Sequence, residues 1–216
     1  MKDFLRGEWL RPLDKEGGLV AKKKEGNLKG SPPPGSKVVL HVGCGPADPD
    51  KLPQPFRAPE WRELRLDIDP AVQPDIIASI TDMSVVESES VDGLYSSHNL
   101  EHLFSREVPI ALGEFYRVLK PGGCLLVTLP DIEKAAELIL QDKIEETAYV
   151  SPAGPIRPLD IIFGFESYVD GGNAFMAHRT AFTARSLARH LSRAGFTDGK
   201  VMRVDFDLWG MAKKPG

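Results

Sequence analysis

Apolar residues along this chain fall into short β-branched runs, separated by turns rich in Gly and Pro and by three stretches of helical period. The first run, Val38-Val39-Leu40-His41-Val42, reads as a buried strand, and Gly43-Cys44-Gly45-Pro46 turns the chain directly after it. Pro49, Pro53, Pro55 and Pro59 then leave room only for a short or broken helix. A second strand fits Glu63-Leu64-Arg65-Leu66 and ends in Asp67-Ile68-Asp69-Pro70, a third lies near Ile76-Ile77-Ala78, and a fourth runs from Val91 to Ser96. Val108, Leu112, Phe115 and Leu119 share one face of a helix expected from about Arg106 to Leu119, with Ser105 as its N-cap and Pro121-Gly122-Gly123 as its stop. Cys124 to Leu129 is the fifth strand, and Asp131 caps a helix that runs through Ala135, Leu138 and Ile139. Thr183 caps a last helix with Leu187, Leu191 and Ala194 on its apolar face and Gly195 at its end. Two closely spaced strands, Val201 to Phe206 and Leu208 to Ala212, close the chain and should pair antiparallel.

Strands alternating with helices predict an α/β fold with a mostly parallel sheet. The 216 residues suit one domain with a sizeable core. Residues 1–36, rich in Gly, Lys and Pro, read as an arm and linker, with a short ordered piece expected around Phe4-Leu5 and Trp9-Leu10. Residues 37–216 read as the domain, and the irregular, aromatic-rich stretch 145–180 as an insertion over a site. The net charge of −4 provides no basic face for nucleic acid, and Lys22-Lys23-Lys24, with Lys29 and Lys37 nearby, reads as a solvated run. Charge interrupts the first residues before an apolar stretch builds, and Cys124-Leu125-Leu126-Val127 is too short to span a membrane. These features predict a cytoplasmic protein with no membrane or nucleic-acid partner. Cys44 and Cys124 are expected at opposite edges of the sheet, too far apart to bond.

Chemistry enters at the first turn. Gly43 and Gly45 let a ligand press against bare backbone. A dinucleotide site also wants a third glycine and a helix N-terminus for the pyrophosphate, where this chain has Pro46, Ala47 and Asp48. Asp67 follows the glycines by a little over twenty positions, the spacing at which a carboxylate accepts both ribose hydroxyls of an adenosine. Asp69 competes, but Pro70 should turn it away. The combination favours an adenosine ligand without phosphates.

The strings Val39-Leu40-His41-Val42-Gly43-Cys44-Gly45-Pro46, Leu66-Asp67-Ile68-Asp69-Pro70, Asp92-Gly93-Leu94-Tyr95-Ser96-Ser97-His98 and Arg117-Val118-Leu119-Lys120-Pro121-Gly122-Gly123 resemble the motifs of class I S-adenosylmethionine-dependent methyltransferases, nearest the type 11 group. The resemblance covers about 37–215. It implies a Rossmann-like three-layer sandwich with a seven-stranded sheet of order 3-2-1-4-5-7-6, strand 7 antiparallel. It implies S-adenosyl-L-methionine as cofactor and methyl transfer to a small-molecule acceptor. Gly43, Cys44 and Gly45 would approach the methionine part and sugar, Asp67 the ribose, and Ile68 the adenine. Ser79-Ile80-Thr81-Asp82-Met83 would line the adenine edge, and Ser97-His98 would lie under the sulfonium. His41 and Ser79 stand where the family usually has acids, so the hold on the cofactor ammonium and the reading of the adenine amine are expected to differ.

His98-Asn99-Leu100-Glu101-His102 also reads as H-x-x-E-H, the inverted zinc-peptidase motif, with His98 and His102 as ligands and Glu101 as base. It follows a strand directly and has no obvious distal ligand helix, so no metal is expected. In the methyltransferase reading His98 points into the site as first candidate for a base, with His102 and His178 behind it. Phe163, Phe165, Tyr168, Phe175 and His178 are candidates to line an acceptor pocket. The competing functions are a non-catalytic S-adenosylmethionine-binding regulatory protein, the zinc peptidase and an NAD-dependent reductase.

Overall fold

The computed structural model describes residues 35–216. The expected ordered piece at Phe4-Leu5 and Trp9-Leu10, and the Lys22–Lys24 run with Lys29, lie outside the described residues.

The described residues form nine strands: β1 (Lys37–Val42), β2 (Trp61–Asp67), β3 (Ile76–Ile77), β4 (Val91–Ser97), β5 (Leu119–Pro130), β6 (Tyr149–Ser151), β7 (Gly154–Ile156), β8 (Thr197–Val204) and β9 (Asp207–Lys213). Seven of them form one sheet in the order β3-β2-β1-β4-β5-β9-β8. The hairpin β6–β7 stands outside it, so among sheet strands the order is the expected 3-2-1-4-5-7-6. β1, β2, β3, β4 and β5 pair in parallel, and β9 runs antiparallel to both β5 and β8. β9 is the seventh strand of this sheet, antiparallel as expected.

Val38, Leu40, Val42, Leu66, Leu94 and Leu125 pack one sheet face against α1 (Val108–Val118) and α5 (Ala184–Arg193), which contribute Leu112, Phe115, Leu187 and Leu191. Alternation along the pleat sends Val39 and Tyr95 to the other face, where Leu52 and Phe56 cover them. Leu52 and Phe56 come from the proline-rich segment, which makes two short 3-10 turns, Pro49–Lys51 and Gln54–Phe56, in place of a regular helix.

Several boundaries depart from expectation: β2 starts at Trp61, not Glu63, and β8 spans Thr197–Val204, not Val201 to Phe206. Helix α1 starts at Val108 with Glu107 as its N-cap, because Pro109 fits only the first turn; Ser105 instead lies 3.3 Å from the Thr180 hydroxyl. β5 begins at Leu119, not Cys124, since Leu119 pairs with Val91 and the Gly122 amide donates to the Lys214 carbonyl at 2.9 Å. The 145–180 insertion has regular pieces: the β6–β7 hairpin, α3 (Pro158–Phe163) and α4 (Glu166–Asp170). Asp160 organises it, accepting from the Arg157 amide and guanidinium and from the Glu166 amide. Ile156 and Ile161 pack on Ala135 of α2 (Ile132–Ile139), which Asp131 caps as expected. Thr183 caps α5 through a reciprocal bond with Ser186.

Both cysteines are free thiols. β4 lies between their strands, with Cys124 level with Val39 and Cys44 beyond the end of β1, so the two are not at opposite sheet edges. Among the described residues no helix is long and apolar enough to cross a membrane.

Candidate functional site

Parallel register places Val42 beside Leu66, so the turn after β1 and the acid at the end of β2 emerge side by side. The Gly45 amide donates to Asp67 Oδ2 at 2.8 Å, and the Asp69 amide donates to Oδ1 at 2.9 Å. These two bonds orient the Asp67 carboxylate and leave each oxygen a further lone pair. Asp69 is turned away as expected, since it caps the 3-10 turn Pro70–Val72 by accepting from Ala71. Ile68 stands half exposed beside the acid, open to a flat apolar ligand.

The two glycines have different duties. Both adopt a left-handed backbone, with φ of 59° at Gly43 and 58° at Gly45. A side chain on Gly43 would collide with Asn99, whose Oδ1 lies 1.8 Å from the position of a Cβ. Asn99 Nδ2 reaches the Val42 carbonyl at 3.0 Å, Ser96 Oγ at 3.1 Å and the Ser97 carbonyl at 3.0 Å, closing the gap between β1 and β4. The bare surface of Gly43 therefore serves an internal clamp. At Gly45 a Cβ would meet only the Lys51 ammonium within 4 Å, at 3.0 Å, so this glycine presents the open backbone.

Cys44 is buried, and its thiol is pushed up to about 11, chiefly by that burial. Met83 is fully buried in the main core. Neither side chain faces a ligand, so only their main chains remain available. His41 is also buried. Its Nδ1 lies 2.6 Å from Glu63 Oε1 and its ring 4.9 Å from that of Tyr95, so the ring is committed within the sheet. Ser79 Oγ and Thr81 Oγ1 lie 2.8 Å apart, and Asp82 accepts from the Ser84 amide. Thr81 and Asp82 border a groove whose other wall is Ile110, Glu114 and Arg117 of α1.

At the end of β4, Ser97 Oγ accepts from the Thr128 hydroxyl at 2.7 Å. His98 follows with φ of 52°, a backbone that points its ring toward two acids. Its Nδ1 is 3.3 Å from Glu101 Oε1, and its Nε2 is 3.6 Å from Asp207 Oδ1. Partial burial opposes its charge, but Asp207 and Glu101 outweigh that and raise His98 to about 10. Both acids thus favour the charged form of His98.

Glu101 is the centre of this end of the site. It is 2% exposed, and neither carboxylate oxygen has a hydrogen-bond donor. Its carbonyl accepts from the amides of Arg179 and Thr180 at 2.8 and 3.1 Å, which staples the insertion to the turn Leu100–His102. Donor atoms of Glu101, His102 and His178 all lie within 4.8 Å of one another. The three histidines singled out in the sequence thus converge on one carboxylate. Burial pushes the His178 imidazole below its usual value.

The geometry corrects the H-x-x-E-H reading. The motif lies on a 3-10 turn, and the donor set pairs His102 with the distant His178 in place of His98. A peptidase needs the motif's own two histidines on one helical face, with the glutamate free to act as base. Among the expected lining aromatics, Phe163, Tyr168 and Phe175 are exposed, while Phe165 packs beside Ile156 and Ile161. Sequence reasoning missed Asn99, Glu63 and Asp207. Only Asn99, which lies within the histidine motif, had a local signal; the others become partners through sheet pairing.

A family model described as a methyltransferase domain matches residues 40–127. No curated protein sequence matches the chain. Among solved structures, a possible exported protein from Bordetella parapertussis is similar with a TM-score of 0.52 at 19% identity, over 84% of this chain and 62% of that one. The Burkholderia thailandensis 1,6-didemethyltoxoflavin-N1-methyltransferase with bound S-adenosylhomocysteine has a TM-score of 0.50 at 16% identity, over 84% and 72%. A SAM-dependent methyltransferase from Archaeoglobus fulgidus has a TM-score of 0.55 at 16% identity, over 83% and 87%. At these identities the structural likeness speaks for the fold. The chain spans less than two thirds of the Bordetella protein. Residues 40–127 thus match a methyltransferase-domain family model, and the sheet around them has the order of a Rossmann-like methyltransferase fold.

Proposed function

We propose that this protein is an S-adenosylmethionine-dependent methyltransferase acting on a small-molecule acceptor. The observation that carries the reading is the 2.8 Å bond between the Gly45 amide and Asp67, which joins open backbone to an oriented carboxylate where adenosine would lie. Asp67 takes the ribose hydroxyls, Ile68 covers the adenine, and Thr81 and Asp82 face its edge. The main chain of Gly43, Cys44 and Gly45 borders the methionine part, with Ser97 and His98 at the sulfonium end. His41 leaves the expected hold on the ammonium, being committed to Glu63.

In the reaction, an acceptor lone pair forms a bond to the methyl carbon as the carbon–sulfur bond breaks, leaving S-adenosylhomocysteine. The sulfonium already activates the methyl group, so alignment is the protein's main contribution, and such alignment supplies about 7–11 kcal/mol. An acceptor that loses a proton needs a base. Two acids favour the charged form of His98 while burial favours the neutral form of His178, so of the three candidate histidines His178, with His102 beside it, suits that role in the metal-free chain better than His98.

Calorimetry with S-adenosylhomocysteine tests the cofactor site. The wild-type chain should bind it, and Asp67→Ala should bind at least about tenfold more weakly, a loss of about 1.4 kcal/mol. No binding by the wild type, or equal binding by the variant, overturns the reading. Tight binding without turnover on any acceptor would favour a regulatory binder.

A further inference from the structure

We infer that Glu101, His102 and His178 form a binding site for one divalent transition-metal ion of the zinc type. The inference rests on side-chain geometry and is independent of the cofactor-site reading at Gly45 and Asp67; a bound ion would occupy the ring nitrogens of His102 and His178 and so displace them as candidate bases.

Three observations carry it. First, the donor set is two imidazoles and one carboxylate with all donor atoms inside 4.8 Å, the ligand set that holds zinc or iron with positions left open. An ion at about 2.1 Å from tetrahedral donors needs them about 3.4 Å apart, so the cluster has only to draw inward. Second, both imidazoles are oriented from behind. The Nδ1 of His178 faces the Ile161 carbonyl at 2.8 Å, and the Nδ1 of His102 faces the Ala177 carbonyl at 3.3 Å. A carbonyl accepts, so each Nδ1 is the donor, and in the neutral ring the lone pair then sits on Nε2, the outer-shell arrangement that fixes metal-binding histidines. Third, Glu101 is buried with both oxygens lacking a hydrogen-bond donor. A buried carboxylate is costly unless a positive charge compensates it. His98, at 3.3 Å from Oε1, is the competing compensator, but it leaves Oε2 without a donor.

The ligands come from two segments more than seventy residues apart, held together by the Arg179 and Thr180 amides on the Glu101 carbonyl. The metal would thus fasten the insertion to the end of β4, with a coordination position open to an acceptor oxygen or water.

The test uses the full chain, stripped with a chelator and titrated with zinc chloride by competition calorimetry. One zinc per chain is expected, with a Kd of about 1 µM or tighter. His102→Ala and His178→Ala should each weaken binding about 100-fold or more, since outer-shell changes alone cost 10–100-fold. His190→Ala, in α5 and away from the cluster, should bind as the wild type. Cobalt(II) added to the wild-type chain should give the visible bands of four- or five-coordinate nitrogen–oxygen ligation, which answers the question even if a variant does not fold. No stoichiometric uptake, an aquo-like cobalt spectrum, or zinc binding unchanged in both folded histidine variants overturns the site. Asp67→Ala should keep its zinc while losing S-adenosylhomocysteine, so failure of either reading is visible separately.

Discussion

Asn99 occupies the space that any side chain on Gly43 would need, its Oδ1 standing 1.8 Å from where a Cβ would be built. The glycine of the first turn is thereby coupled to the residue that ties β1 to β4. Gly43→Ala should cost about 3 kcal/mol, combining a strained left-handed backbone with displacement of three Asn99 hydrogen bonds. In Gly43→Ala/Asn99→Ala the clash is gone, so the double variant should lose less stability than the two single losses summed. Urea unfolding of the four proteins measures the coupling. Strict additivity would show that Asn99 does not limit the turn.

The groove wall responds to acid. The Arg117 guanidinium bonded to Glu114 holds that carboxyl below its ordinary value of 4.5. A carboxyl depressed in the folded state stabilises the fold above its unfolded pKa and loses that contribution as pH falls through the folded value. Glu114→Gln should therefore be less stable than the wild type near pH 7, and the two should converge as pH drops below 4.5. Unfolding midpoints in urea at pH 7 and in this acid range check the direction; parallel curves would count against it.

Both thiols should be inert in the folded chain. Burial is the main cause that raises Cys44 to about 11 and Cys124 to about 12. At pH 8 only about one Cys44 thiol in a thousand is ionised, and the thiolate is the reacting form. A chromogenic disulfide reagent should label neither cysteine quickly in the native protein and both after denaturation.

Gly164 anchors the insertion. Its φ is 96°, and a Cβ there would come within 2.2 Å of the Met176 carbonyl oxygen. Gly164→Ala should therefore displace the Phe163 carbonyl that receives the His178 amide at 3.0 Å. Affinity for S-adenosylhomocysteine should stay within about threefold, because the Gly45–Asp67 pair is remote in the chain, while zinc affinity should fall at least about tenfold. Equal loss of both would mean general unfolding, which a thermal melt would reveal.

Local sequence by itself determined the order of the seven sheet strands and of the helices α1, α2 and α5, because hydrophobic period, proline placement and capping residues act over a few positions; the pieces within 145–180 were not legible in it. Asp131 and Thr183 cap where the sequence says they should, and the prolines after Gly45 exclude a long helix. The nearness of Asp67 to Gly45 was legible too, since two parallel strands with tight turns bring their ends together. Tertiary structure alone decided which partners the buried polar groups take. His41 found Glu63 through the register of β1 and β2, His98 found Asp207 through the hairpin at the far end of the chain, and His102 met His178 only because the insertion folds back over Glu101. Such pairings depend on loop closure and sheet order, and no local pattern of residues encodes either.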